Sequence, residues 1–364
     1  MMSTSEICEF ELNYESPQGM PCLVPAVKLE QRLDWRLRFP SNPGIVEEEL
    51  PRFAIHLHAF HVEGLGILLR TLAAACTGAD LLITTDTNDK EQSIVAFMQD
   101  LDLCQCFASY KINIMLNRGR NVWPLLQYAY QELYDHQVVL HLHTKRSTHT
   151  DYGQKWFADT LKSLVQNQKY VNQIRLSFQQ YSSLGVILPS PPKNIRPYAN
   201  WGKNFEMANH CCSTVFGESR QLNFSCPLVF PVGMMFWFRP QALQHLHAMS
   251  MLVAEPPIEP IEDDGTILHV LERLVLHCCE AANYEWALGS RETSDYDSSQ
   301  LVPAKISVWQ PQMSIYMAKV SKMAHALREC NHQIRALSNR LQCLENSASW
   351  RMTAPLRALK MLMQ

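Results

Sequence analysis

Two hydrophobic rhythms alternate along the chain from Phe53 onward. Phe53 to Phe60 (FAIHLHAF) places apolar side chains at every second position, the period of a strand with one buried face. Val62 to Ala75 is rich in Leu and Ala and reads as a helix. Asp80 to Asp86 is a short buried-strand run, followed by a helix from about Lys90 to Leu101 and a strand from Tyr110 to Leu116. Trp123 to Leu133 is again helical, Gln137 to His143 a strand, Trp156 to Phe178 a helix and Leu184 to Pro189 a strand. Strands that alternate with helices of about 10 to 15 residues require crossover connections, so the fold class is α/β with a doubly wound, mostly parallel sheet.

The rhythm breaks at both ends. Pro17, Pro21, Pro25, Pro40 and Pro43 interrupt residues 1–50, an N-terminal lead-in expected to pack on the main domain. The α/β domain spans 51–289, with a long loop or lid expected over 190–226, where Pro191, Pro192 and Pro197 fall, before the core resumes at Leu228. Residues 290–312 read as a polar linker. Beyond it, Met313, Tyr316, Val320, Met323, Leu327, Cys330, Ile334, Leu337, Leu341 and Leu344 recur in alternating steps of three and four, an unbroken heptad seam over 313–346. That seam predicts a coiled-coil helix and a homo-oligomer. In the last stretch, 347–364, Trp350, Met352, Leu356, Leu359 and Met361 are interleaved with Arg351, Arg357 and Lys360, an amphipathic tail suited to peripheral contact with a membrane face or to a partner groove.

Composition narrows the function classes. A formal net charge of −3 supplies no basic field, which argues against nucleic acid as a partner. Twelve cysteines include the adjacent pairs Cys211-Cys212 and Cys278-Cys279, a spacing that suits neither a disulfide framework nor a zinc site. With no leader-like start and no run of about 18 apolar residues, the expectation is a cytoplasmic protein with reduced thiols.

In open α/β sheets ligands bind beyond the carboxyl ends of the strands, so polar residues following strands carry the candidate chemistry. Asp86, after the second strand, can accept hydrogen bonds from a nucleoside, or belong to the cap of the next helix. Asn117, Arg118 and Arg120 flank Gly119 after the third strand, a tight turn with planar donors for phosphate. His143 ends the fourth strand on the same side as His141, with Lys145 and Arg146 just beyond; a cation pair there suits a diphosphate leaving group. The two histidines could alternatively be metal ligands. Glu262, Asp263 and Asp264 open a helix, where the macrodipole stabilises acids; the functional reading is a general base, Asp263 or Glu262, with Asp264 supporting the helix start. Phe236, Trp237 and Arg239 lie in an aromatic run that could line an acceptor cleft or belong to the core.

In order, Ile55-His56-Leu57-His58, Asn117 to Asn121, His141 to Ser147, Gly233 to Pro240, and Asp264-Gly265-Thr266 with Glu272-Arg273-Leu274 resemble the rhamnan synthesis F family of polysaccharide-assembly proteins over about residues 50–287. The blocks are also similar to a GT-A glycosyltransferase. The resemblance implies an inverting transferase that moves a sugar, rhamnose from a deoxythymidine-diphosphate donor, onto a surface polysaccharide or lipid-linked glycan. Such enzymes use Mg or Mn held by an Asp-x-Asp; here His141-Leu142-His143 stands in that place, which leaves the cation open. The competing reading is a non-catalytic scaffold or glycan-binding component of an assembly complex. Ser347 to Arg357 resembles the ending of many polysaccharide glycosyltransferases, where it follows a coiled coil.

Overall fold

A computed structural model describes residues 50–144, 151–189, 199–217, 222, 228–289, 327, 329–344 and 346–353. The chain divides into two units, Met1–Ser314 and Ile315–Gln364. In the first, seven strands form one sheet: β1 (Phe53–His58), β2 (Asp80–Thr85), β3 (Ser109–Ile114), β4 (Val138–His143), β5 (Leu184–Pro189), β6 (Phe236–Phe238) and β7 (Glu285–Gly289), in the order β3-β2-β1-β4-β6-β5-β7. Every pairing is parallel except those of β6, which runs antiparallel to β4 and β5.

The helices are α1 (Leu65–Ala75), α2 (Asn88–Asp100), α3 (Asp151–Leu164), α4 (Gln168–Gln180), α5 (Phe205–Phe216), α6 (Gln244–Ser250) and α7 (Ile267–Ala281). Local chemistry explains their starts. Thr87 caps α2 by accepting from the Lys90 N–H, and Asp89 and Glu91 in the first turn complement the dipole. The single helix expected over Trp156 to Phe178 is two helices, because Asn167 folds its side chain back onto the Tyr170 N–H and starts α4 anew. The expected loop over 190–226 contains α5. The predicted helix at Trp123 is π-helical over Pro124–Ala129 and α-helical only over Tyr130–Glu132. There His247 meets the Leu126 carbonyl at 2.7 Å and stacks on Tyr130, and Gln127 donates to Ser250, so the wide turn is held by α6.

Strand alternation separates two cores. Phe53, Ile55, Leu57, Leu140, Leu142 and Trp237 pack on the face covered by α1 and α4. Ala54, Val139, Phe236 and Phe238 pack on the other, beneath the 124–132 segment, α6 and α7. His56, His58, His141 and His143 share the phase of Ala54 and Val139, and the β1–β4 register pairs His56 with His141 and His58 with His143. Among the described residues no helix is long and apolar enough to cross a membrane.

Candidate functional site

The order of the strands reverses between the parallel neighbours β1, which leads outward to β2, and β4, whose further neighbours lie on the other side. That switch point opens a crevice beyond the carboxyl ends of the strands, and a cleft of about 730 Å³ lies there. Its floor is made by His58 at the end of β1 and His143 at the end of β4. Phe60 and His61 follow β1, and the His61 N–H donates to the Thr144 hydroxyl at 2.8 Å, tying the two strand exits together. Asn117, Arg120 and Asn121 enter from the turn after β3, and Gly233 and Met234 from the segment before β6. Glu259, His269 and Glu272 close the far side from the loop before α7 and from α7 itself.

Reversal of β6 explains which part of the aromatic run reaches the site. An antiparallel strand presents its start, not its end, at the carboxyl edge of its neighbours. Gly233 therefore faces the cleft, while Trp237 is fully buried with its indole N–H donated to the Leu164 carbonyl, and Phe236 packs on the opposite core. Arg239 leaves at the other edge of the sheet, where its guanidinium donates to the carbonyls of Phe178 and Leu184. The acceptor-lining role expected for Phe236, Trp237 and Arg239 is corrected accordingly.

The turn after β3 is a tight fit. Gly119 has φ +72°, and a Cβ there would run into Trp123. Arg120 follows at φ 50°, in the left-handed region; of the four non-glycine residues so placed among those described, Arg120 and Met234 both line the cleft. Arg120 donates to the Ile261 carbonyl at 3.2 Å and lies 3.9 Å from the Glu259 carboxylate. Arg118 points elsewhere and pairs with the exposed Glu255 at 3.0 Å. Asp86 does not line the cleft; it pairs with Lys90, whose ammonium sits 3.9 Å over the Phe60 ring, so it reaches the site through two side chains.

His143 is held from both ends of its ring, with Nδ1 3.1 Å from the Thr144 carbonyl and Nε2 2.8 Å from the Gly233 carbonyl. Carbonyl oxygens only accept, so whichever ring nitrogen carries the proton can donate to the carbonyl beside it, and the ring is oriented across the cleft floor. The Gly233 N–H in turn donates to Glu272 at 2.7 Å. Behind it, His56 and His58 share the Thr84 hydroxyl, each at 3.0 Å. Burial, then the neighbouring His143, drives the His58 pKa down to about 3. His141 is fully buried and stacked on His56 with ring centroids 4.8 Å apart.

The acidic helix start divides in two. Asp264 accepts from the Asn204 amide at 2.6 Å and the Lys203 N–H at 2.9 Å, and lies 3.5 Å from Arg273. Burial pushes its pKa up, but the amide, the N–H and the guanidinium more than reverse that. It ties the turn before α5 to α7. Glu262 and Asp263 are exposed and outside the lining of the cleft. Glu259 is the member of this loop that faces it, with one carboxylate oxygen accepting from the Ile261 N–H at 3.1 Å. Lys145 and Arg146 lie outside the described residues.

The divalent cation that a GT-A resemblance implies does not fit the described residues. The His143 nitrogens face carbonyls, His141 is enclosed against His56, and no group of three His, Cys, Asp or Glu is arranged around a point among them. Cys278 is also enclosed; burial, and then Cys212 beside it, raise its pKa, so these thiols are inert core.

The description "Rhamnan synthesis protein F" matches residues 41–284 of this chain. The chain belongs to that family. Two curated proteins from strains of Xanthomonas campestris pv. campestris, each named "Uncharacterized protein WxcX", are 28% identical over 231 residues. That match covers 62% of this chain and 31% of each relative, so the chain spans about a third of the length of the curated relatives it matches. Within this rhamnan synthesis F member, the matched region includes every residue that lines the cleft.

Proposed function

We propose that this cleft binds a nucleotide-diphosphate sugar and transfers the sugar to a hydroxyl of a growing surface polysaccharide or lipid-linked glycan, in a GT-A-like arrangement. One observation supports the reading: Arg120, His143 and Glu259 line a single crevice at the switch point of the strand order, with Arg120 3.9 Å from the Glu259 carboxylate. The Arg120 guanidinium suits the diphosphate, where negative charge grows as its bond to the sugar breaks, and the His143 ring beside it offers a further hydrogen-bonding edge. Lys145 and Arg146, next in sequence after Thr144, would add to that charge. Asn117 and Asn121 offer donors to the sugar or phosphate, and Phe60, close to Asp86, offers an apolar surface for a nucleoside.

The base in this reading is Glu259 rather than Asp263 or Glu262. Its carboxylate takes the proton of the acceptor hydroxyl as that oxygen bonds to the anomeric carbon. The bond from that carbon to the diphosphate oxygen breaks in the same step, and the nucleoside diphosphate leaves with the electron pair. A single displacement of this kind inverts the anomeric centre. Rhamnose as the sugar is favoured by the family description.

Incubation of the purified protein with a panel of nucleotide sugars and glycan acceptors, with and without chelator, tests the reading. Glu259→Gln should lower kcat by about 100-fold or more with donor KM nearly unchanged, whereas Asp263→Asn and Glu262→Gln should change kcat little. Absence of both binding and turnover with every donor would abandon sugar transfer in favour of a non-catalytic assembly component. Full activity in Glu259→Gln would remove only the base assignment.

A further inference from the structure

His269 stands in the first turn of α7, half-buried, and lines the cleft together with Glu259 and Glu272. Thr266 occupies the N-cap of that helix, where a threonine hydroxyl normally accepts from a backbone N–H of the first turn. Here it makes no such cap and instead meets His269 Nδ1 at 2.8 Å. The His269 carbonyl accepts from the Arg273 guanidinium at 2.9 Å. Ring and backbone are both fixed, while Nε2 has no hydrogen-bond partner among the described residues. Unlike the two enclosed ring nitrogens of His141, it is not sealed from the cleft.

We propose that His269 positions the acceptor: its Nε2 hydrogen-bonds a hydroxyl next to the one that Glu259 deprotonates, so the acceptor is a sugar with a free vicinal diol. A hydroxyl both donates and accepts, so it matches Nε2 in either tautomer that the Thr266 contact allows. A phosphate oxygen, which only accepts, matches one of them. The wall around the ring is acidic as well. Glu259 and Glu272 line it, and Asp264 and Asp263 lie close enough to act on the charge of the ring. Such a wall repels a phosphate and accepts hydroxyls. Burial, then the Arg273 guanidinium, lower the His269 pKa, so at neutral pH the ring is uncharged and adds no attraction for an anion. Arg120 links the ring to the base: it lies 3.9 Å from Glu259 and near enough to His269 to hold its pKa down further. One guanidinium within reach of both side chains brings them close enough for a single sugar ring to bridge them.

The inference rests on the sugar-transfer reading with Glu259 as base, and one experiment separates the two. The purified chain is assayed with a panel of nucleotide sugars against methyl pyranosides and their analogues lacking one hydroxyl. His269→Leu should raise acceptor KM by about tenfold, the loss of one neutral hydrogen bond, with donor KM nearly unchanged. His269→Gln, whose amide reaches the same place, should restore most of that loss. On the analogue lacking the neighbouring hydroxyl, the wild type should lose the same factor and His269→Leu nothing further, a coupling that loosened packing would not produce. An unchanged acceptor KM in His269→Leu, equal losses on that analogue in both proteins, or a rise in donor KM instead would overturn the acceptor role and leave sugar transfer standing. A wild-type KM indifferent to every missing hydroxyl would overturn it too, whether or not His269→Leu folds. No turnover by the wild type with any pair would overturn sugar transfer and this role with it.

Discussion

His58 shows how far one side chain can be displaced from its solution behaviour by place alone. It is buried, shares the Thr84 hydroxyl with His56 and lies beside His143, and its pKa falls to about 3. His277, buried on α7, falls to about 4 for the same first reason, loss of water. Both are neutral in the fold at pH values where an unfolded histidine, near 6.5, takes a proton. The unfolded chain thus binds more protons from about pH 6.5 downward, and stability declines with acidification until the folded values are reached. Each such histidine contributes a slope of about 1.4 kcal/mol per pH unit. Urea unfolding at pH 7.5 and 5.5 should give a lower midpoint at 5.5, by roughly 2–3 kcal/mol in stability for the two together; an equal or higher midpoint would contradict the assignment. The sequence made half of this visible, since alternation places His141 and His143 on one side of β4. It could not show that β1 pairs with β4 in a register that sets four histidines side by side, because long-range register is fixed by packing and not by local pattern.

At the level of elements, β1 to β5 and most helices were readable because their apolar positions follow a period, while the short strands β6 and β7 were not foreseen. Three further features were hidden. The break at Asn167 hides inside a continuous helical pattern, the π turn at Pro124–Ala129 depends on His247 far along the chain, and the direction of β6 is not encoded in Phe236–Phe238. That last gap misplaced Trp237 and Arg239. The rule that ligands sit beyond strand ends pointed to Asn117, Arg120 and His143, which line the cleft. Applied equally to β1, it would also have found His58, Phe60 and His61. Glu259 and Glu272 were masked by the denser acidic run between them. Within that run, Asp264 joins the start of α7 to the turn before α5, where a Cβ on Gly202 would meet its carboxylate. Asp264→Asn should destabilise the fold by about 1–3 kcal/mol, read as a drop in thermal midpoint, because Arg273, 7% exposed, loses one of its two nearby carboxylates. An unchanged midpoint would mean that the tie is not structural.

For the whole molecule, the chain divides between Ser314 and Ile315 into two units, a division that truncation tests. A chain ending at Ser314 should unfold at the same temperature as the full chain; a large fall in its melting temperature would show that the first unit depends on the second. Membership of the rhamnan synthesis F family rests on residues 41–284, and the second unit lies outside that matched region.

The antiparallel insertion of β6 has a practical outcome. A strand that begins beside the cleft and finishes at the remote rim splits its two flanks between different surroundings, and they can be edited separately. Grafting Pro231–Met234 from a relative should alter selectivity while the scaffold stays intact, whereas exchanges from Arg239 to Leu246 should register only as changes in solidity.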